Sequence, residues 1–146
     1  MPPASPDSSP SLLARWLTWP YRLLMLLGAC AGFAAIWVVL AWSSNSQCSW
    51  MALLGALDVA WILRLTHWPA GPRRAVVGVV ASAAIAAMAN WWIIAVHLGE
   101  VLGFDPLESA LRLGMHHAWL LAQLANGPLD LAMIIASLLL AAFVSR

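Results

Sequence analysis

Four long apolar segments dominate this chain of 146 residues. They cover residues 23–42, 50–66, 75–98 and 128–145. An α-helix needs about 20 mostly apolar residues to cross roughly 30 Å of hydrocarbon. The pattern therefore predicts an all-α integral membrane protein with four transmembrane helices.

Composition supports a lipid environment for most of the surface. The chain is 63% hydrophobic and only 9% charged, whereas a soluble domain carries roughly 25% charged residues. The formal net charge of +1 argues against nucleic acid as a partner, because binding it requires a basic patch. The lipid bilayer is the first partner that the sequence predicts.

The basic residues are distributed unevenly between the connections. All seven are arginines, and only Arg112 lies in the long connection between the third and fourth segments, close to Glu100, Asp105 and Glu108. Arginine enrichment marks cytoplasmic connections, so both termini are predicted to be cytoplasmic. A chain whose basic residues are all arginine is typical of a GC-rich bacterial genome. This composition favours a multi-pass protein of the bacterial inner membrane. The other six arginines precede the first segment, separate the second from the third, or end the chain: Arg15, Arg22, Arg64, Arg73, Arg74 and Arg146.

The chain divides into a short tail and one membrane domain. Residues 1–10 are rich in proline and serine and are predicted to form a disordered cytoplasmic tail. Residues 11–146 are predicted to form a single membrane domain. Residues 11–19 carry tryptophan and one arginine and are expected to lie in the interface before Pro20, ahead of the first transmembrane helix.

The connection between the third and fourth segments has its own helical pattern. Asp105 and Pro106 are typical of an N-cap and first helical position, and Glu108 completes a predicted capping box. Gly127 is predicted to end the helix in the left-handed conformation. These signals predict one amphipathic surface helix over residues 106–125, on the outer face of the membrane.

An alternative topology makes residues 106–125 a fifth transmembrane helix. It would place Glu108, Arg112 and His116 in hydrocarbon. Each central charge costs at least about 2.5–3.5 kcal/mol. The four-helix topology is therefore favoured.

Small residues form two stripes at helical spacing. Gly28 and Gly32 lie on the first segment, and Gly78, Ser82 and Ala86 follow one another at intervals of four on the third. Such stripes let helix backbones approach closely. They predict a packing interface, which is most often internal to the bundle and otherwise joins the chain to a second copy or to another membrane subunit.

Asp58 and Asn90 are the polar candidates inside the predicted helices. Each lies eight residues from the outer end of its segment, at a depth of about 12 Å, so adjacent antiparallel helices are predicted to place them within hydrogen-bond reach. An intramembrane acid marks a proton or substrate path by default. A hydrogen-bonded structural role is the favoured alternative, because no second membrane acid or base completes a relay.

Four side chains give a metal hypothesis. His97 and Glu100 lie three residues apart at the end of the third segment, and His116 and His117 come from the predicted surface helix. Imidazole and carboxylate suit zinc, copper or iron. The spacing matches no standard zinc signature, and adjacent histidines cannot share one helical face. A bound metal or haem is thus possible but not favoured.

The function predicted first is non-catalytic. Catalytic serine motifs and phosphate-binding loops are absent from the sequence, and the connections are short. We expect a small integral membrane subunit that packs against or stabilises a larger membrane complex. A transporter or channel component using Asp58 and Asn90, and a metal- or haem-binding membrane protein using His97, Glu100 and His116, are the alternatives.

Overall fold

The computed structural model describes residues 12–146, with all side chains except those of residues 12–17 and Met115. The predicted tail, residues 1–10, lies outside the described residues. All regular secondary structure in the described part is helical, which confirms the all-α class. The helices are α1 (Leu12–Ser44), α2 (Met51–Leu65), α3 (Pro72–Leu102), α4 (Pro106–Arg112), α5 (Met115–Ala125) and α6 (Pro128–Val144).

Two of these helices are long and apolar enough to cross a membrane alone. They are α1, over 27 residues from Thr18 to Ser44, and α3, over 31 residues. The helices α2, with 15 residues, and α6, with 17, are shorter. The pair α5 and α6 passes the same test as one span bent by 105°. Length and hydropathy thus give two candidate membrane spans, or three with the bent pair.

The first helix is longer than predicted. It begins at Leu12 and runs through Pro20 without a break, so the helix starts well before the apolar segment of residues 23–42. Proline removes one backbone hydrogen bond from a helix interior and disfavours continuation. Pro20 nevertheless does not end the helix, which continues to Ser44.

Helix α3 is the centre of the molecule and packs against each of the other five helices. Helix α2 also packs against α1 and α6. The main core lies between α1, α2 and α3, where Trp37, Val59, Leu63 and Ile85 are almost fully buried. The buried residues of α1 recur every three or four positions, as expected for one side of a helix. They are Leu26, Cys30, Ala34, Trp37 and Ala41.

The predicted surface helix over residues 106–125 is two helices. The chain is extended at Leu113, with ψ 97°, and at Gly114, with ψ 149°. Glycine inside a helix costs about 1 kcal/mol relative to alanine, and the break at Gly114 is where the chain departs from helical geometry.

The predicted capping box of α4 and the predicted left-handed cap at Gly127 are wrong. Asp105 is the N-cap residue of α4, as predicted, but it makes no side-chain cap hydrogen bond, and Glu108 instead forms an ion pair with Arg112 at 2.7 Å. Gly127 has φ −72°, which is not left-handed. It is instead the N-cap residue of α6, where its backbone N–H donates to the Asp130 carboxylate at 2.8 Å.

A tight turn ends α3 and folds α4 back onto it. Gly103 adopts the left-handed conformation with φ 71°, and the N–H of Phe104 donates to the carbonyl of Gly99 at 3.0 Å. A Cβ on Gly99 would lie 2.8 Å from the Phe104 carbonyl oxygen. Glycine at both positions is therefore what allows the turn.

The arginines of the α2–α3 turn meet the end of α6. The Arg64 guanidinium donates to the Val144 carbonyl at 2.9 Å, and Arg74 donates to Ser145 at 2.8 Å and also to the Arg146 carbonyl. The last carbonyls of a helix lack intrahelical partners and attract cations. We call this side of the molecule the arginine end.

The start of α1 lies at the same end. The Trp19 ring, near the beginning of α1, is 5.8 Å from the ring of Trp68 in the α2–α3 turn, measured between centroids. The beginning of α1, the α2–α3 turn and the end of α6 thus share the arginine end.

Candidate functional site

Three amide side chains meet on the other side of the bundle. Gln47 Nε2 donates to Asn90 Oδ1 at 2.6 Å, and Asn126 Nδ2 donates to the same oxygen at 2.8 Å. Gln47 Nε2 also lies 3.4 Å from Asn126 Oδ1. We call Gln47, Asn90 and Asn126 the amide cluster. It joins the α1–α2 loop, the middle of α3 and the α5–α6 junction.

Local hydrogen bonds position the amide side chains of the loop and of the α5–α6 junction. The α1–α2 loop folds back along α1, because the Ser46 N–H donates to the Ala41 carbonyl at 3.1 Å and the Trp37 indole donates to the Gln47 carbonyl at 3.0 Å. Asn126 ends α5, and its own side chain donates to the Ala122 carbonyl at 2.7 Å. The loop therefore enters the bundle instead of extending beyond α1.

The distance from the arginine end to the amide cluster is the same when it is measured along α3 and along α1. On α3 the segment from Pro72 to Asn90 rises about 27 Å at 1.5 Å per residue. On α1 the segment from Trp19, beside Trp68, to Trp37, beside Gln47, has the same length. The short helices α2 and α6 fit this interval, whereas α1 and α3 continue beyond the amide cluster.

The predicted hydrogen bond between Asp58 and Asn90 is wrong. The Asn90 amide oxygen accepts from Gln47 and Asn126, and its nitrogen donates to the Ala86 carbonyl at 2.9 Å. Asp58 is half-buried and has no hydrogen-bond or ion-pair partner among residues 12–146. Equal depth along two helices does not fix their rotation, and here the two side chains face different neighbours.

The four predicted metal ligands do not gather at one point. Glu100 accepts a hydrogen bond from the Trp42 indole at 2.6 Å, which ties the end of α1 to α3. His97 and His116 line different cavities, and His117 is exposed on α5. Within the described residues, no three His, Cys, Asp or Glu side chains form a group able to hold a metal ion.

Two cavities flank the packing of α5 on α3, and Ile94 borders both. The first has a volume of about 430 Å³ and extends to the α1–α2 loop, with His97 and Gln47 in its lining. The second has a volume of about 600 Å³ and includes Asn90 and His116. The amide cluster contributes a residue to each cavity.

The stripe on α3 is an internal packing surface. A Cβ on Gly78 would lie 2.7 Å from the Ser145 Cβ, so α3 and the end of α6 are in close contact here. Ser82 and Ala86 are buried on the same helix. The Ser82 hydroxyl has no hydrogen-bond partner among the described residues.

The stripe on α1 faces outward. Gly28 and Gly32 are exposed, and a Cβ on either would meet no heavy atom within 4 Å. The same side continues into a shallow groove of about 360 Å³ that includes Ala35, Ile36 and Val39. No helix of the described chain covers this side of α1.

Gln47 and Asn126 are not among the site residues that the sequence predicts. Both are uncharged amides in short connections, where such residues are common for local turn reasons. Their only signal was their position next to helix ends, in a chain with few polar residues.

Comparison of the chain with family models, with curated proteins and with solved structures gave no match.

Proposed function

We propose that this protein is a small non-catalytic subunit of the bacterial inner membrane, which packs against a larger membrane complex through the outward face of α1. Four helices would cross the bilayer, with both termini in the cytoplasm. The exposed stripe of Gly28 and Gly32 is the observation that carries the proposal.

The four-helix topology is supported by the distance between the arginine end and the amide cluster. About 27 Å along α1 and α3 is close to the roughly 30 Å thickness of the hydrocarbon core. The short helices α2 and α6 occupy this interval. The 105° bend between α5 and α6 turns α5 across the bundle, as an interfacial helix would lie.

The cytoplasmic placement of the termini is supported by the grouping of charge. Arg64 and Arg74 contact the end of α6 at one side of the molecule. Glu108 and Arg112 lie in α4, which follows the opposite end of α3. Arginine-rich ends face the cytoplasm, so the arginine end is assigned to that side.

The docking face is supported by the contrast between the two stripes. Ser145 of the same chain fills the space beside Gly78 on α3, whereas the space beside Gly28 and Gly32 on α1 is open. In a membrane the gain from association comes from close van der Waals packing of backbones, for which small residues are the usual means. A single transmembrane helix of another protein is the occupant that fits a straight, smooth face of this kind.

The other two functions have less support. The transporter alternative required Asp58 and Asn90 to act together, but Asn90 bonds to Gln47 and Asn126. The metal alternative required His97, Glu100 and His116 to converge, and Glu100 bonds to Trp42 instead.

Replacing Gly28 or Gly32 with leucine tests the proposal. The larger side chain would hold a partner helix away, so each variant should lose its co-purifying proteins while remaining folded. Ala136→Leu is the matched control, because Ala136 is an exposed small residue on α6, and it should keep them.

Purification from native membranes in mild detergent, followed by mass spectrometry, gives the readout. Retention of the same partners by Gly28→Leu and Gly32→Leu would contradict the proposal. If the native protein instead forms a species of twice the chain mass, and both variants lose it, then the face of α1 joins two copies of this chain.

A further inference from the structure

The cavity beside the amide cluster has the size and lining of a small-molecule site. Its volume of about 430 Å³ lies within the range of roughly 300–1,000 Å³ for ligand pockets. Its walls come from α3 and α5 and include Ile93, Leu98 and Leu121. Asn45, Ser46 and Gln47 of the α1–α2 loop, with His97, supply its polar groups.

Two side chains of this lining, His97 and Gln47, each carry an acceptor atom that has no hydrogen-bond partner among the described residues. His97 Nδ1 lies 2.8 Å from the Ile93 carbonyl, which can only accept, so this nitrogen carries the hydrogen. In the neutral ring Nε2 is then an acceptor, and it has no partner among the described residues. The nitrogen of the Gln47 amide is used in the amide cluster, which leaves its oxygen as a second acceptor without a described partner.

Among the residues that the structure describes, the lining of this cavity contains no acidic or basic side chain other than His97. Arg64 and Arg74 are occupied at the arginine end, and Glu100 is bound to Trp42. A phosphate or carboxylate head would find no cation here, and its desolvation would be uncompensated. An uncharged head that donates hydrogen bonds fits better.

We propose that this cavity binds a neutral, hydroxyl-headed lipid, whose hydroxyl donates to His97 Nε2 or Gln47 Oε1 while its apolar body contacts Leu98 and Leu121. A diacylglycerol and an isoprenoid hydroquinone both present this chemistry. The proposal uses the membrane placement of the proposed function but needs no partner subunit. It therefore stands or falls separately from docking through α1.

Equilibrium binding to the purified full-length protein in phosphatidylcholine nanodiscs tests this site. The probes are radiolabelled dioctanoylglycerol, its methyl ether, and a decyl-substituted benzohydroquinone. Saturable binding of the first or third probe at one per chain is expected, and the one that binds identifies the source. The methyl ether should bind about five- to tenfold more weakly, because one hydrogen bond is lost.

Two variants locate the binding. His97→Phe keeps an aromatic ring but removes the acceptor, so affinity should fall by about five- to tenfold. Ala125→Phe places a ring at the exposed rim of the cavity and should abolish binding. His116→Phe makes the same change in the neighbouring cavity and should leave affinity unchanged.

Circular dichroism and size-exclusion profiles verify that each variant is folded. Absence of saturable binding by both hydroxyl probes would overturn the proposal. So would equal affinity for the diacylglycerol and its ether where the diacylglycerol binds, or unchanged affinity in folded His97→Phe and Ala125→Phe.

Discussion

Gln47 Nε2 lies 2.6 Å from Asn90 Oδ1, so a residue of the α1–α2 loop is bonded to the middle of α3. The contact draws the loop into the bundle and sets where α2 begins. Asn126 donates to the same oxygen, which brings the α5–α6 junction to the same level. One amide oxygen therefore aligns the starts of two short helices against the central long one.

Replacing Asn90 with leucine should destabilise the protein by about 1–2 kcal/mol. Interhelical hydrogen bonds in membranes average about 0.6 kcal/mol, and the change leaves the donors of Gln47 and Asn126 without their shared acceptor. Urea or SDS titration in mixed micelles gives the measurement. Gln123→Leu is the control, because Gln123 is an exposed amide on α5 with no described partner. Equal stability of the Asn90 and Gln123 variants would contradict the assigned role.

The sequence was sufficient to predict helices and most of their ends. Apolar length predicts the positions of α1, α2, α3 and α6, and Pro106 and Pro128 are helix starts in the structure, as the sequence predicts. The break at Gly114 was missed, because a single glycine is tolerated within many helices at a cost of about 1 kcal/mol. The signal was present but weak.

The contacts of the candidate site could not be predicted in the same way. The predicted pairing of Asp58 with Asn90 follows from their depth, which depends on residue counts alone. Their true neighbours depend on how each helix is rotated and on a loop that folds back at Ser46. Gln47, Asn90 and Asn126 come from three distant segments, and their meeting is a property of tertiary packing.

The two glycine stripes should respond differently to a larger side chain. Gly78→Leu should reduce the stability of the isolated protein by about 1–3 kcal/mol or more, as overpacking does, because the new atoms meet Ser145. Gly28→Leu should leave that stability within about 0.5 kcal/mol, because its surroundings are open. Thermal unfolding in detergent compares them. The same loss in both variants would show that Gly28 also packs inside the molecule.

Arg74 should matter more than its neighbour Arg73. Arg74 donates to the carbonyls of Ser145 and Arg146, at the end of α6, whereas Arg73 is exposed and has no described partner. Arg74→Gln should therefore increase protease cleavage near the C-terminus, because α6 loses its anchor at that end. Arg73→Gln removes the same charge and should cleave as the native protein does. Identical cleavage of both variants would argue against the anchor.

Asp58 should be replaceable by leucine. It is half-buried in the middle of α2 and has no hydrogen-bond or ion-pair partner among residues 12–146. In the proposed membrane placement of α2, leucine suits the hydrocarbon and aspartate does not, so Asp58→Leu should unfold at the same or a higher temperature. Asp58→Asn is the isosteric comparison. Normal folding of Asp58→Asn with loss of a transport activity would instead assign Asp58 to a proton or ion path.

Site-specific photo-crosslinking tests the proposed docking face of α1 most directly. A benzoylphenylalanine at Ile36, which is 62% exposed beside the glycine stripe, is compared with one at Leu139 on α6, which is 60% exposed. In native membranes the Ile36 probe should give one discrete adduct with another membrane protein, and Gly32→Leu should abolish it. The Leu139 probe should give no such adduct. No protein adduct from Ile36, or the same adduct from both positions, would contradict docking through α1.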